Sequence, residues 1–261
     1  MKKLIYTISA VVIGTGLLAD VINFTAGEGY SAGELSDNSK WDGHSGLIVD
    51  PVAGSVSYTN TGFQKVVYQD KLDAGNDGYA VGIVFSFDQG AIPSGNNAIM
   101  TAEFSTVNTA TGGARLSLNL IRRSNGRYNL TIFDSLNSTT IQGGVIIDAT
   151  NLFPSTGSSI ELKLELTATL NADGTSWDLL GILSSGGTPL ITLSTNEYAT
   201  AFFDAGVYGA LNTVTAESNT NVSNREVYSF EVRAIPEPAT MGLFLISASV
   251  LFLNRRVMRK K

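Results

Sequence analysis

The 261-residue chain has no cysteine, one histidine, six prolines and two tryptophans, and only 15% of its residues are charged. Each shortage removes a class of chemistry. Without cysteine there is no disulfide framework, thiol nucleophile, iron–sulfur cluster or cysteine-ligated zinc. A body of roughly 215 residues buries enough apolar surface to fold without disulfides. One histidine excludes a multi-histidine metal centre, and a Ser-His-Asp triad would have to use His44. That residue lies in Trp41-Asp-Gly-His-Ser-Gly46, a glycine-flanked loop, and no G-x-S-x-G elbow accompanies it. His44 therefore reads as an ordinary loop residue.

The charge is unevenly placed. Of 17 cations, Lys2 and Lys3 open the chain, while Arg255, Arg256, Arg259, Lys260 and Lys261 close it. Residues 20–236 hold ten cations against 22 acids, a net charge of −12. Such a surface argues against nucleic acid or anionic lipid as partner, since counterion release needs clustered Lys and Arg. The local trio Arg122, Arg123 and Arg127 flanks an apparent hairpin and reads as a solvated turn.

Both ends carry addressing patterns. Lys2 and Lys3 precede an uncharged apolar run from Leu4 to Leu18, the pattern of a secretory signal peptide over 1–19. Cleavage is expected after Ala19, or nearer Gly16, because Leu17 is larger than the small residue usual at that offset. At the other end Ile235-Pro-Glu-Pro238 leads into Ala239–Leu253, 15 residues without a charge, and then into the basic segment 254–261. As a helix that run covers only ~23 Å against a hydrocarbon core of ~30 Å, short for a permanent span. The terminal cations favour the cytoplasmic side, which leaves the Pro-Glu-Pro outside. The prolines bias that motif towards an extended backbone that an enzyme can grip as a strand.

The order of these parts resembles the PEP-CTERM sorting signal of Gram-negative bacteria, carried here by Pro236, Glu237, Pro238, the apolar run and the basic end. The resemblance covers about a tenth of the chain. It implies an exosortase-like transpeptidase as partner, recognising Pro236, Glu237 and Pro238, and a transient inner-membrane helix over 239–253. It also implies a final place at the cell surface or in an exopolysaccharide matrix.

The body, residues 20–234, reads as all-β. Short runs of alternating apolar and polar residues are separated by Gly, Asn, Asp and Ser clusters. The clearest runs are Tyr79–Phe87, Ile99–Phe104, Ala114–Ile121, Tyr128–Phe133, Ile160–Leu170, Ser176–Leu183, Pro189–Leu193, Ala205–Leu211 and Val227–Val232. In the Ile160 run Glu161, Lys163 and Glu165 share one face, expected to be solvated with a local ion pair. Ser124-Asn-Gly126 and Asn171-Ala-Asp-Gly174 supply hairpin turns. No sustained helical stripe and no constant repeat is present, so about a dozen strands are expected to form one two-sheet sandwich.

Phe24-Thr-Ala-Gly-Glu-Gly-Tyr30, with Gly33, Leu35 and Trp41, resembles the opening of laminin-G-like or concanavalin-like jelly rolls. Tyr228-Ser-Phe-Glu-Val232 resembles their last strand. That likeness implies a sandwich that hosts lectins, glycosidases and inert spacers alike, so function rests on the site.

A sandwich glycosidase needs two carboxylates about 5–9.5 Å apart. The related enzymes carry E-x-D-x-x-E or E-x-D-x-E, and neither occurs. Lys163 separates Glu161 from Glu165, and no catalytic residue and no cofactor is assigned. Trp41, Tyr30, Tyr58 and Tyr68 are the aromatics offered as sugar platforms, whereas Trp177, in an alternating run, reads as core. Asp70–Gly78 offers a calcium candidate at Asp73 and Asp77. Against an EF-hand register it lacks an oxygen side chain at the third position, has Val84 where a bidentate Glu is required, and has no helical flanks. The expected function is a non-catalytic, exopolysaccharide-associated surface protein. A lectin-like module is the second reading and a glycoside hydrolase the third.

Overall fold

The computed structural model describes residues 20–58, 64–88, 97–148, 152, 159–212 and 225–235. The signal peptide, the Pro-Glu-Pro motif and the apolar run 239–253 lie outside the described residues. Among those described, no helix is long and apolar enough to cross a membrane.

The described chain forms sixteen strands. The N-terminal part contributes β1 (Asp20–Ile22), β2 (Gly33–Glu34), β3 (Trp41–Gly43), β4 (Leu47–Asp50), β5 (Ser55–Tyr58) and β6 (Lys65–Tyr68). Longer strands follow: β7 (Gly78–Asp88), β8 (Asn97–Ser105), β9 (Arg115–Arg122), β10 (Tyr128–Asp134) and β11 (Thr139–Ile147). The last are β12 (Ser159–Leu170), β13 (Trp177–Ser185), β14 (Thr188–Tyr198), β15 (Tyr208–Asn212) and β16 (Arg225–Ile235). One sheet runs β14-β13-β12-β7-β16-β5-β4-β2, with β1 also pairing β16, and the other runs β11-β10-β9-β8-β15-β6-β3. All of these pairings are antiparallel. The expected two-sheet all-β sandwich is therefore what forms, with more strands than the dozen the sequence displays.

Period-two alternation delivers one face of each strand to the core. In β12, Leu162, Leu164, Leu166 and Ala168 point inward, and in β9 Leu116, Leu118 and Leu120 meet them from the other sheet. Aromatics fill the two flanks. Trp41 packs on Phe24, Tyr68 and Phe230 at one flank, with ring centroids 5.1–6.2 Å apart. At the other, Trp177 lies 4.3 Å from Phe203, which stacks on Tyr79 at 5.0 Å. Trp177 is thus a core residue, as its alternating run implied.

Both expected hairpins form. Gly126 and Gly174 adopt φ of +80° and +70°, and their N–H groups donate to Arg123 O and Asn171 O. Arg127 closes its turn region with an ion pair to Asp148 at 2.8 Å. On the outer face of the nine-stranded sheet the expected Lys163–Glu165 pair widens into a network. Lys163 also reaches Glu231 at 3.1 Å, and Arg233 reaches Glu231 at 3.4 Å and Glu165 at 3.7 Å. Gly82 of β7 lies between Glu165 and Glu231 in register, and its missing side chain leaves the room for these charges to meet. Burial pulls the Lys163 ammonium down, but Glu165 and Glu231 outweigh it and hold its pKa above the usual lysine value.

Candidate functional site

The outer face of the seven-stranded sheet is polar yet closed. Register pairing places Lys65 of β6, Asn212 of β15, Thr101 of β8, Asn119 of β9 and Thr131 of β10 in one row across five neighbouring strands. At the ordinary strand spacing that row is roughly 19 Å long. Glu103 and Ser117 stand in the next row, beside Ala210. All these polar side chains are buried, Lys65 and Glu103 to 2% and 1% exposure.

They are wired to one another. The Lys65 ammonium lies 2.7 Å from Glu103 Oε1 and donates to Ser105 Oγ at 3.2 Å. Asn212 Nδ2 donates to Glu103 Oε2 at 3.2 Å. The Thr101 hydroxyl donates to Asn119 Oδ1 at 2.9 Å, and Asn119 Nδ2 donates to Ser117 Oγ at 3.3 Å. Asn129, two residues before Thr131 on the same face of β10, is also buried, and its Oδ1 accepts no hydrogen bond.

Part of the cover is the β8–β9 connection, residues 106–113. It folds back across β15 and β6 to the far edge, where Ala110 N donates to Asp42 Oδ2 at 3.2 Å. Asn108 exchanges hydrogen bonds with Gln69 at 2.8 and 3.2 Å. Consecutive glycines at 112 and 113, both at positive φ, turn the chain back into β9.

Burying an ion pair and five amide or hydroxyl side chains on a sheet face is expensive. The desolvation cost of a buried pair commonly cancels its Coulombic gain, so packed apolar side chains would serve stability as well. An unsatisfied buried carbonyl such as that of Asn129 adds a further cost. Chemically the row holds one cation, two amides and two hydroxyls at strand spacing, most of them hydrogen-bonded to one another or to the next row.

The aromatics offered by the sequence as sugar platforms lie elsewhere. Trp41, Tyr30 and Tyr68 are core residues: Trp41 Nε1 donates to Tyr30 Oη at 2.9 Å, and Tyr68 Oη donates to Asp20 at 3.2 Å. Trp41 and Tyr68 have turned inward because each occupies an apolar-side position of its strand, where ring area is worth most, and Tyr30 packs beside them from the segment before β2. Tyr30 touches the surface only as one wall of a polar recess with Glu34, Asp37 and Asn38. Tyr58 is likewise buried, under the Arg225 guanidinium 4.8 Å from its ring centroid, and burial raises its pKa despite that cation. It lines the open cleft described below.

Asp73 and Asp77 sit in the turn before β7. The Asp73 backbone carbonyl accepts from Asn76 Nδ2 at 2.7 Å and from Tyr79 Oη at 2.8 Å. Among the described residues no three His, Cys, Asp or Glu side chains converge as a metal site. His44 is a loop residue whose N–H donates to Lys65 O at 3.0 Å, and its ring Nδ1 faces the same peptide.

No family model and no curated protein matches this sequence. Solved structures do share its fold. The metal-free lectin I-B4 from Griffonia simplicifolia superposes with a TM-score of 0.52 at 11% identity, over 76% of this chain and 95% of that one. Lectin UEA-II complexed with galactose gives 0.52 at 10%, over 84% and 98%. A mutant of alginate lyase Aly36B in complex with alginate tetrasaccharide gives 0.50 at 13%, over 84% and 97%. At such identities the likeness establishes the architecture, a lectin-like antiparallel sandwich, and nothing finer.

Proposed function

We propose that the chain is a non-catalytic saccharide-binding module of an exported surface or matrix protein, with the outer face of the seven-stranded sheet as its ligand face. The carrying observation is the in-register row Lys65–Asn212–Thr101–Asn119–Thr131, with Glu103 and Ser117 beside it. Planar amides and hydroxyls at strand spacing match a chain of sugar hydroxyls. The buried Asn129 carbonyl is an acceptor that a ligand hydroxyl would satisfy. The solved sandwiches of the same fold support the class, since one holds galactose and another an alginate tetrasaccharide. Binding is favoured over turnover because the Lys65 ammonium is committed to Glu103 and Ser105. Access requires the 106–113 connection to release its hydrogen bonds at Asp42 and Gln69.

The delivery of the module is the second part of the proposal. Pro236, Glu237 and Pro238 serve as the recognition motif of an exosortase-like enzyme, and 239–253 holds that motif at the inner membrane until it is processed. The end product is a surface protein associated with exopolysaccharide.

A glycan array probed with the purified exported protein tests the first part. Binding by the native chain and its loss in Asn119→Ala, with cooperative unfolding retained at a melting midpoint lowered by the loss of its two buried hydrogen bonds, is the expected result. Uniform silence across neutral and acidic glycans would overturn it.

A further inference from the structure

A second cleft lies on the opposite sheet, and the chain breaks its own strand pairing to build it. Between Val227 and Ser229 the register of β16 against β7 slips by one, so Tyr228 is an extra residue with no partner opposite. A bulge of this kind bends the strand and re-aims the inserted side chain. Here the Tyr228 hydroxyl meets Ser86 Oγ at 2.9 Å and donates to Glu226 Oε2 at 3.0 Å. The phenol is thus fixed over a cleft of about 540 Å³ lined by Ser57, Tyr58, Ser86, Asp88, Arg225 and Glu226 with Tyr228 and Ser159. That volume is in the range of small-ligand sites.

The lining defines a chemistry. Arg225 forms the inner wall and is structurally occupied, with Nη1 donating to Ile99 O at 2.8 Å and the guanidinium over Tyr58. Ser57, Glu226, Ser86 and Glu161 then follow one another in register across β5, β16, β7 and β12, with Asp88 two residues beyond Ser86. Carboxylates only accept hydrogen bonds, and three of them on one patch repel an anion. Serine and tyrosine hydroxyls both donate and accept. Burial, with Glu226 and Glu161, raises the Tyr228 pKa against the opposing Ser86 hydrogen bond, so the phenol keeps the proton it donates to Glu226.

We infer that this bulge-built cleft is a second binding site, separate from the seven-stranded face, for an uncharged saccharide whose hydroxyls donate to Asp88 and Glu226 beside the Tyr228 ring. The inference takes its ligand class from the saccharide-binding reading above but rests on different residues.

The test is a titration of isotopically labelled purified protein with cellohexaose, maltohexaose and mannohexaose, with hexagalacturonate as the charged probe, followed by NMR. A neutral hexamer should shift the Ser57, Ser86 and Tyr228 amide signals. Glu226→Gln and Tyr228→Phe should each weaken that response tenfold or more, and Asn119→Ala should leave it unchanged. Glu226 is exposed, so its variant should melt with the native protein. Shifts at Ser86 and Tyr228 with silence at Thr101 and Asn119 would uphold the cleft and count against the seven-stranded face instead. The inference is overturned if no neutral hexamer moves Ser86 and Tyr228, if both variants bind as the native chain does, or if only hexagalacturonate binds there.

Discussion

Replacing Glu103 by leucine should be far more damaging than replacing Glu103 and Lys65 together. At 2.7 Å the pair has a gross Coulombic attraction of about 6 kcal/mol at an effective dielectric near 20. Taking both ions out of water costs several kcal/mol each, so the net value of the pair is small. Glu103→Leu keeps the cost of the buried Lys65 ammonium and removes its compensation, and it also leaves Asn212 Nδ2 without its acceptor. The expected loss is about 3–5 kcal/mol. In a body of this size that corresponds to a fall in melting midpoint of roughly 6–20 °C. The double variant Lys65→Met, Glu103→Leu removes both charges from a site already closed to water and should recover much of that loss, what remains being the hydrogen bonds that Asn212 and Ser105 made to the pair. Urea unfolding followed by the fluorescence of the buried Trp41 and Trp177 reads all four corners of the cycle. A single variant as stable as the native chain would mean that the pair is solvated, and a double variant as unstable as the single would mean that the charges themselves stabilise the fold. Either outcome refutes the reasoning that this pair is retained for something other than stability.

Four further outcomes are expected. Tyr198→Phe, which removes the link to the fully buried Asp134, should cost about 1–3 kcal/mol and leave Asp134 held by Leu136 N and Asn137. Burial first, and then Asp134 for Tyr198, push the pKa values of Tyr128 and Tyr198 up to about 12. The fold therefore favours the neutral phenols: their contribution is complete below about pH 10 and is lost as pH rises through about 12, which alkaline melts with absorbance at 295 nm will show. Gly209→Ala should destabilise by about 1–3 kcal/mol, because a Cβ there would lie 2.7 Å from Val232 and 2.9 Å from Phe230 across the core; an unchanged urea midpoint would contradict this. Finally, alanine at Pro236, Glu237 and Pro238 together should leave the protein in the membrane fraction with its tail intact, and unchanged processing on a blot would refute the sorting proposal.

The long strands were legible because alternation over seven or more residues leaves little choice. The Ile160–Leu170 run falls within β12 and the Tyr79–Phe87 run within β7. The six N-terminal strands were not, since two to four residues are too few to display a period. β11 escaped for another reason: its Gly143-Gly144 pair and two register shifts against β10 break the alternation. The candidate face was half-visible. Period two already puts Thr101 with Glu103, and Ser117 with Asn119, on one side of their strands. Sequence could not say that these sides adjoin, nor that Lys65 and Asn212, distant in the chain, complete the row. Aromatic identity marks both cores and binding faces, and here alternation placed Trp41, Tyr58 and Tyr68 inward, with Tyr58 also lining the cleft beside Tyr228.

The position of β16 has a mechanical consequence. The bulge-built cleft sits at its N-terminal end, where Arg225 ties it to Ile99, whereas its last residue, Ile235, lies ten residues and roughly 34 Å further along. A pull between a held glycan and the C-terminal segment would therefore run along this strand. β16 is flanked by β7 over ten register positions and clipped near its exit by β1. Its hydrogen bonds would be loaded in shear and share the force, instead of opening one after another like a zip, so the strand that presents Tyr228 is also the domain's tension member.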